Sequence, residues 1–399
     1  MIDEQEVTAR LKRRYRVQDA TFQLLDRLAG RFARAERNVD VRLIRDPQRI
    51  LIANAGHLGD VVMSTAVLPV LRHAFPGVEI GFLTGSYSRP VLDGHPLIRW
   101  IHYVDHWYLS RAAATGHRKA IRYYRERRRA IDELRECRYD LAIDLRAWFP
   151  NFVSLLWAAR IPLRVGYDRV GFGSFLTHRL SYRYDRRHEI EHYLDLLKPL
   201  SIPAKALAHA WPNLPPIPKS AAAEAAAVLG GARRFRVLHP AASTPTRDWP
   251  IDCWKMLAED LLQQGITPVL TGRGVRDGEI TGTIATAVPG CINACNRLSW
   301  RGLVALIGKA ELVYSVETSI GHVAAAFRRP TVSICGGMSD PLHWKPFGAN
   351  AVVATNALPC HPCFSNKGCA TRGCLTGLSV AQVQAAAQEA LRRCAMSQS

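Results

Sequence analysis

Three short segments of this sequence combine residue types that bind anions or move protons. The first is Asn54-Ala-Gly-His-Leu-Gly-Asp60, in which Gly56 and Gly59 precede an acid. Glycines in a strand-to-helix turn permit a tight backbone and the close approach of a ligand. Asp60 falls in the first helical turn, where the helix dipole favours an anion. A carboxylate at the carboxyl end of a strand suits a general base. The plainer role for the same residue is a helix N-cap. The glycine spacing is not G-x-G-x-x-G, which argues against a dinucleotide-binding dehydrogenase.

The second segment runs from His239 to Pro250 and contains Ser243, Thr244, Thr246 and Arg247. Hydroxyl donors beside the fixed fork of a guanidinium suit a phosphate or diphosphate. The plainer reading of Arg247 is a surface cation. Trp249-Pro250 then reads as a packing residue ahead of a proline that starts a helix. The third segment is Ser315-Val-Glu-Thr-Ser-Ile-Gly-His322. Thr318 and Ser319 open a helix, a ready anion site, although Thr318 is equally suited to capping it. Glu317 offers an acceptor for a sugar hydroxyl. His322 lies inside the helix, where a core histidine is the plain reading. One carboxylate in the first half of the chain and two anion-suited loops in the second fit glycosyl transfer from a nucleotide diphosphate.

The elements that position these segments alternate. The apolar run Arg49–Ala53 predicts a strand, Asn54–Gly59 a turn, Asp60–Ala74 a helix and Val78–Leu83 a second strand. The same rhythm restarts at Phe235–His239 after a run holding Pro203, Pro212, Pro215, Pro216 and Pro218. Strand–helix alternation predicts α/β units with parallel sheets. The expected architecture is two doubly wound domains facing a cleft, with ligands at the carboxyl ends of the strands. The expected boundaries are a basic helical arm at 1–48, an acceptor domain at 49–201, a Pro-rich linker at 202–219 and a nucleotide-binding domain at 220–399. The arm carries Leu11, Leu24, Leu25, Leu28 and Phe32 among Arg13, Arg14, Arg16, Arg27, Arg31 and Arg34. That pattern suits either a surface helix or a membrane-facing amphipathic one.

The chain has 399 residues, with 53 basic against 34 acidic, for a formal charge of +19. Hydrophobic residues make up 48%, which excludes a disordered or fibrous chain. The charge points to an acidic partner. Residues 111–138 hold ten basic residues against four acids, and with residues 1–49 they carry ten of the nineteen excess charges. No apolar run spans a bilayer, and the polar N-terminus predicts a cytoplasmic protein. Ten cysteines in that compartment do not suggest a disulfide framework. Cys360, Cys363, Cys369 and Cys374 have spacing that suits a structural zinc or iron knuckle, or four reduced thiols.

The ordered series of motifs resembles glycosyltransferase family 9, the ADP-heptose:lipopolysaccharide heptosyltransferases, which have the GT-B fold. It comprises Ile50-Leu-Ile-Ala-Asn-Ala-Gly-His-Leu-Gly-Asp-Val-Val-Met63, Tyr139-Asp-Leu-Ala-Ile-Asp-Leu145, Val165-Gly-Tyr167, Val237-Leu-His-Pro240, Arg247-Asp-Trp-Pro250, Glu317-Thr-Ser-Ile-Gly-His-Val-Ala-Ala-Ala326 and Asp340-Pro-Leu-His-Trp344. The resemblance covers about Arg49 to Leu391. It implies an inverting, metal-independent transfer of heptose from ADP-heptose to a lipopolysaccharide core or other surface glycan. Asp60 falls on the family's general base. Arg247 falls where the family usually has a lysine on the donor phosphate. Glu317, Thr318 and Ser319 replace an Asp-Thr-Gly loop, and these departures bear on the sugar more than on the fold. Many members carry a similar cysteine group.

Alternatives from the sequence are a GT-B transferase using another sugar donor or a protein acceptor, and a nucleotide-sugar epimerase. A basic nucleic-acid-binding protein is a different class, but no recognition module surrounds Tyr123 and Tyr124. The expected partners are a nucleotide-sugar donor, an acidic glycolipid and the anionic inner face of the cytoplasmic membrane. The sequence does not fix an oligomeric state.

Overall fold

The structure is a computed structural model that describes residues 4–30, 45–109, 116–365, 369 and 371–396. Arg31, Phe32, Arg34 and Arg111, singled out above, lie outside the described residues, as does the side chain of Leu25. The chain forms two compact units: an amino-terminal unit of residues 12–215, and a carboxy-terminal unit of 216–399 with residues 1–11.

In the amino-terminal unit, six parallel strands lie in the order β3-β2-β1-β4-β5-β6. They are β1 (Arg49–Ala53), β2 (Glu79–Thr84), β3 (Trp100–Tyr103), β4 (Leu141–Asp144), β5 (Leu163–Tyr167) and β6 (His178–Leu180). Ile50, Leu51, Ile52 and Ala53 are fully buried, as expected for a central strand covered on both faces. β1 pairs with β2 on one side and β4 on the other, with Ala53 opposite both Leu83 and Asp144. Leu51, Leu83, Ala142, Ile131, Leu134 and Leu156 share one core cluster. Helices α1 (Glu4–Ala29), α2 (Leu58–Ser64), α3 (Val67–Ala74), α4 (Gly116–Cys137), α5 (Val153–Ala158) and α6 (Glu189–Asp195) come from this half of the chain. α4 buries only Ala130, Ile131 and Leu134; Arg118, Arg122, Arg125, Arg128 and Arg129 are exposed, while Arg127 and Arg135 donate to the carbonyls of Ser154 and Ala158.

In the carboxy-terminal unit the order is β12-β11-β10-β7-β8-β9, again all parallel. The strands are β7 (Phe235–His239), β8 (Thr267–Leu270), β9 (Ile292–Asn293), β10 (Val313–Val316), β11 (Thr331–Ile334) and β12 (Ala351–Ala354). The longer helices are α7 (Lys219–Leu229), α8 (Ile251–Gln263), α9 (Val275–Ala287), α10 (Trp300–Lys309), α11 (Ser319–Ala326) and α12 (Val380–Met396). Trp249, Trp254, Leu257, Leu270, Tyr314 and Val383 belong to its core. Counted from its own first strand, this sheet has the same order as the other. In each, the direction of winding reverses between two strands, β1 and β4 or β7 and β10. Open α/β sheets bind ligands outside the carboxyl ends of those two strands.

The structure departs from the sequence pattern at several places. The helix expected over Asp60–Ala74 is two helices, and the first starts at Leu58, so Gly59 is helical rather than part of the turn. The break falls at Thr65, whose hydroxyl donates to the Val62 carbonyl at 2.6 Å. Pro69 lacks the N–H that would bond the carbonyl of Thr65. The Pro-rich stretch contains a short helix, Ala204–Leu207. β5 carries a buried arginine, Arg164, that donates to the carbonyls of Phe175 and Ile161, so its apolar pattern is interrupted. β6 and β9 are too short and polar to stand out.

Candidate functional site

In the amino-terminal unit, the β1–α2 turn and the β4–α5 loop emerge side by side, because Ala53 pairs with Asp144. Asp60 is the third residue of α2 and is buried, 8% exposed. Its Oδ2 accepts from the His57 N–H at 2.6 Å and from Arg146 Nη1 at 3.1 Å. The N-cap is His57 rather than Asp60, which instead closes a capping box from the third helical position and forms an ion pair whose side chains are only about a tenth exposed. Oδ1 makes no hydrogen bond among the described residues, which leaves it free to accept a proton.

The turn is braced from three directions. Asn54 Oδ1 accepts from the Gly56 N–H at 2.7 Å. Its amide donates to Ser64 Oγ at 2.6 Å and to the Tyr193 hydroxyl at 3.4 Å. The Tyr87 hydroxyl donates to the Gly56 carbonyl. A Cβ on Gly56 would overlap the Arg146 guanidinium and the Asp60 carboxylate. Glycine is required here by close approach. Arg146 is in turn held by Asp144, whose Oδ1 accepts from the Arg146 N–H at 3.1 Å and whose Oδ2 accepts from the Phe152 N–H at 2.6 Å. Burial pushes the Asp144 carboxyl up to about 7, against the pull of those two N–H groups.

In the carboxy-terminal unit the loops after β7 and β10 emerge together, since His239 pairs with Ser315. His239 is buried, contacts Thr271 Oγ1 at 3.0 Å, and is driven down to about 4 by desolvation. It acts as a neutral post under the loop. Arg247 sits in a short turn, Pro245–Arg247, and its Nη1 donates to the Glu317 carbonyl at 3.4 Å. Three side chains fix this loop. Arg276 pairs with Asp248 and donates to the Ala242 carbonyl at 2.8 Å. Arg372 donates to the Pro245 carbonyl at 2.7 Å. Trp249, 1% exposed, anchors its indole N–H on the Leu378 carbonyl at 2.9 Å.

Glu317 accepts from the Ser339 hydroxyl through Oε1. Its Oε2 is buried and has no partner among the described residues. Burial raises the Glu317 carboxyl above its ordinary value, and the charge of Arg247 opposes that. An unpaired carboxylate oxygen beside a guanidinium is suited to accept from a sugar hydroxyl. Thr318 is committed locally: its hydroxyl caps α11 by accepting from the Ile320 N–H at 3.3 Å and meets Ser315 Oγ at 2.9 Å. Ser319 is the first residue of α11 and His322 the fourth, half-buried in the helix. Ser243 and Thr244 are exposed, and Thr244 Oγ1 lies 2.8 Å from Thr246 Oγ1. The structure thus joins Arg247 to Glu317 but shows no contact of Ser243 or Thr244 with either.

Sequence reading missed Arg146 and Tyr193, and it quoted Asn54 and Asp144 within motifs without giving either a role. Arg146 lies one residue beyond the Tyr139–Leu145 motif, and only the strand order places it beside Asp60. Cys360, Cys363 and Cys369 are exposed and Cys374 is half-buried. Hydrogen bonds from the Arg372 N–H and Thr371 hold the Cys369 thiol below its usual range. Among the described residues no three His, Cys, Asp or Glu side chains converge on a metal-sized site, so of the two readings offered for these cysteines the zinc or iron knuckle finds no geometric support there.

Two doubly wound units of identical strand order have the architecture of the GT-B class. The chain belongs to glycosyltransferase family 9 (heptosyltransferase), whose model matches residues 127–372. It is 25% identical to lipopolysaccharide heptosyltransferase 1 of Pseudomonas aeruginosa over 335 residues, covering 79% of this chain and 86% of that protein. It is also 25% identical to lipopolysaccharide heptosyltransferase 3 of Escherichia coli, covering 74% and 84%. Among solved structures, a family 9 glycosyltransferase from Veillonella parvula superposes with a TM-score of 0.70 at 20% identity, covering 87% of this chain and 98% of that one. ADP-heptose lps heptosyltransferase II of E. coli superposes with a TM-score of 0.67 at 22% identity, covering 88% and 100%.

Proposed function

We propose that this glycosyltransferase moves a heptose from ADP-heptose to a hydroxyl of an acidic lipopolysaccharide-core glycolipid. The observation that carries the reading is Asp60, whose Oδ2 is fixed by Arg146 and the His57 N–H while Oδ1 is left free. In this reading Oδ1 takes the proton of the acceptor hydroxyl as its oxygen attacks the anomeric carbon. The bond from that carbon to the diphosphate oxygen breaks, and ADP departs with the bonding pair. One displacement inverts the anomeric centre. Residues 49–201 bind the acceptor and supply the base, and residues 220–399 bind the donor. Arg247 and the start of α11 stabilise the charge that develops on the diphosphate. Glu317 accepts from a hydroxyl of the donor sugar or ribose. Working on a glycolipid, the enzyme acts at a membrane surface, on the cytoplasmic side where the nucleotide sugar is. The four cysteines lie outside this chemistry.

The sugar and nucleotide are tested by thermal stabilisation of the purified protein with ADP-, UDP-, GDP- and dTDP-sugars. A ligand that binds only the folded state raises the melting temperature. An ADP-sugar preference is expected. A UDP-sugar preference would move the assignment to another donor.

A further inference from the structure

We propose that the outer face of α1, centred on Val17, Leu24 and Leu28, lies in the interface of an anionic lipid bilayer. From Lys12 onward α1 packs on the amino-terminal unit by one face only. Tyr15 meets the Trp148 ring at 5.5 Å, Phe22 meets Phe149 at 5.1 Å, and Asp26 accepts from the Ser174 N–H at 2.8 Å. Val17, Leu24 and Leu28 are 77%, 59% and 48% exposed. Their spacing of seven and four residues puts them on one stripe, about 40° wide at 3.6 residues per turn, and opposite the packed face. Arg13, Arg14 and Arg27 flank the stripe on both sides and are exposed. None has an ion-pair partner among the described residues. An apolar stripe bordered by arginines is the pattern of a helix that lies in the headgroup region.

A second feature of the same unit points the same way. On α4, Ile121 and Tyr124 are 56% and 69% exposed, with Arg118, Arg125 and Arg128 exposed around them. Ring contacts run from Tyr124 to Tyr123, His106 and Phe149, which meets Phe22 of α1. These contacts tie both helices to one aromatic layer of the amino-terminal unit. Tyrosine rings and arginines suit a membrane–water interface, and anionic lipid supplies the countercharge. A second copy of the chain is disfavoured as the occupant, because a symmetric pairing would bring the flanking arginines together, while Glu6 on the same side of α1 is already paired with Arg10.

The inference deepens the glycolipid reading and rests on it for its role, while its test does not involve turnover. The full chain is sedimented with phosphatidylcholine vesicles and with vesicles containing phosphatidylglycerol. The wild type should bind only the latter. Each cation near the surface contributes about a fivefold change, so Arg13→Glu/Arg14→Glu/Arg27→Glu should weaken binding by roughly a hundredfold or more. Leu24→Asn/Leu28→Asn should weaken it at least about tenfold. All five side chains are exposed, and unchanged melting temperatures would show that the variants fold. Wild-type binding by both variants would overturn the proposal. So would light scattering that shows a wild-type dimer lost in the variants while vesicle binding persists. Failure of heptosyl transfer with vesicle binding intact would instead remove the function reading alone.

Discussion

Arg146 Nη1 lies 3.1 Å from Asp60 Oδ2, and the pair joins the loops that follow β1 and β4. The two residues stand 86 positions apart, and the parallel pairing of their strands makes the contact. Removing the guanidinium leaves a nearly buried carboxylate without its countercharge. Arg146→Ala should cost about 3 kcal/mol of stability and lower turnover. Arg146→Lys restores the charge without the fork and should recover part of both. Urea denaturation and steady-state kinetics on the two variants check this. Equal turnover in the alanine variant would show that the pair does not position the base.

Gly56 is a sharper probe of geometry, because its substitution removes no chemical group. A Cβ there enters the space of Arg146 and Asp60. Gly56→Ala should reduce turnover by about a hundredfold, the cost of a displacement near 1 Å. Binding of ADP should be unaffected, as measured by calorimetry.

The donor loop gives a separate handle. A charge-assisted hydrogen bond contributes about 1.5–3 kcal/mol, so Arg247→Ala should weaken ADP binding by about ten- to a hundredfold. Glu317→Gln keeps the shape and removes the charge. It should raise KM for the nucleotide sugar while leaving affinity for free ADP closer to wild type if the carboxylate faces the sugar. Parallel titrations of ADP and ADP-heptose separate the two effects.

Stability should fall as pH drops below neutral. Desolvation lowers His239 from 6.5 to about 4 and His106 likewise, so the folded state keeps both neutral. An unfolded chain takes up those protons first. The stabilisation is complete above about pH 6.5 and is lost as pH falls toward 4, at up to about 1.4 kcal/mol per pH unit for each proton. Asp144, raised to about 7, acts with the opposite sign over about pH 4 to 7, so the informative quantity is a difference. His239→Gln should lose less stability than wild type between pH 7 and 5 in urea titrations. Identical slopes would place the acid sensitivity elsewhere.

The alternation of elements was legible because central parallel strands such as Ile50–Ala53 are apolar throughout and each is followed by a glycine- or hydroxyl-bearing turn. Asp60, Arg247 and Glu317 stood out as candidates because each lies within eight residues of the carboxyl end of a strand. Arg146 was not: nothing near it marks it as more than one arginine among many, and its role depends on which strand lies next to β1. The break at Thr65 was hidden because α2 and α3 continue one apolar rhythm across it. The local use of the Thr318 hydroxyl could be listed as an option from sequence, but only the Ile320 and Ser315 contacts decide it.

As the proposed base in a transfer from ADP-heptose, Asp60 should set the rate of acceptor-dependent ADP release. With a core glycolipid as acceptor, Asp60→Asn should release ADP about 10²–10⁴-fold more slowly than wild type, with ADP affinity retained. Release at the wild-type rate by that variant would show that Asp60 is not the base.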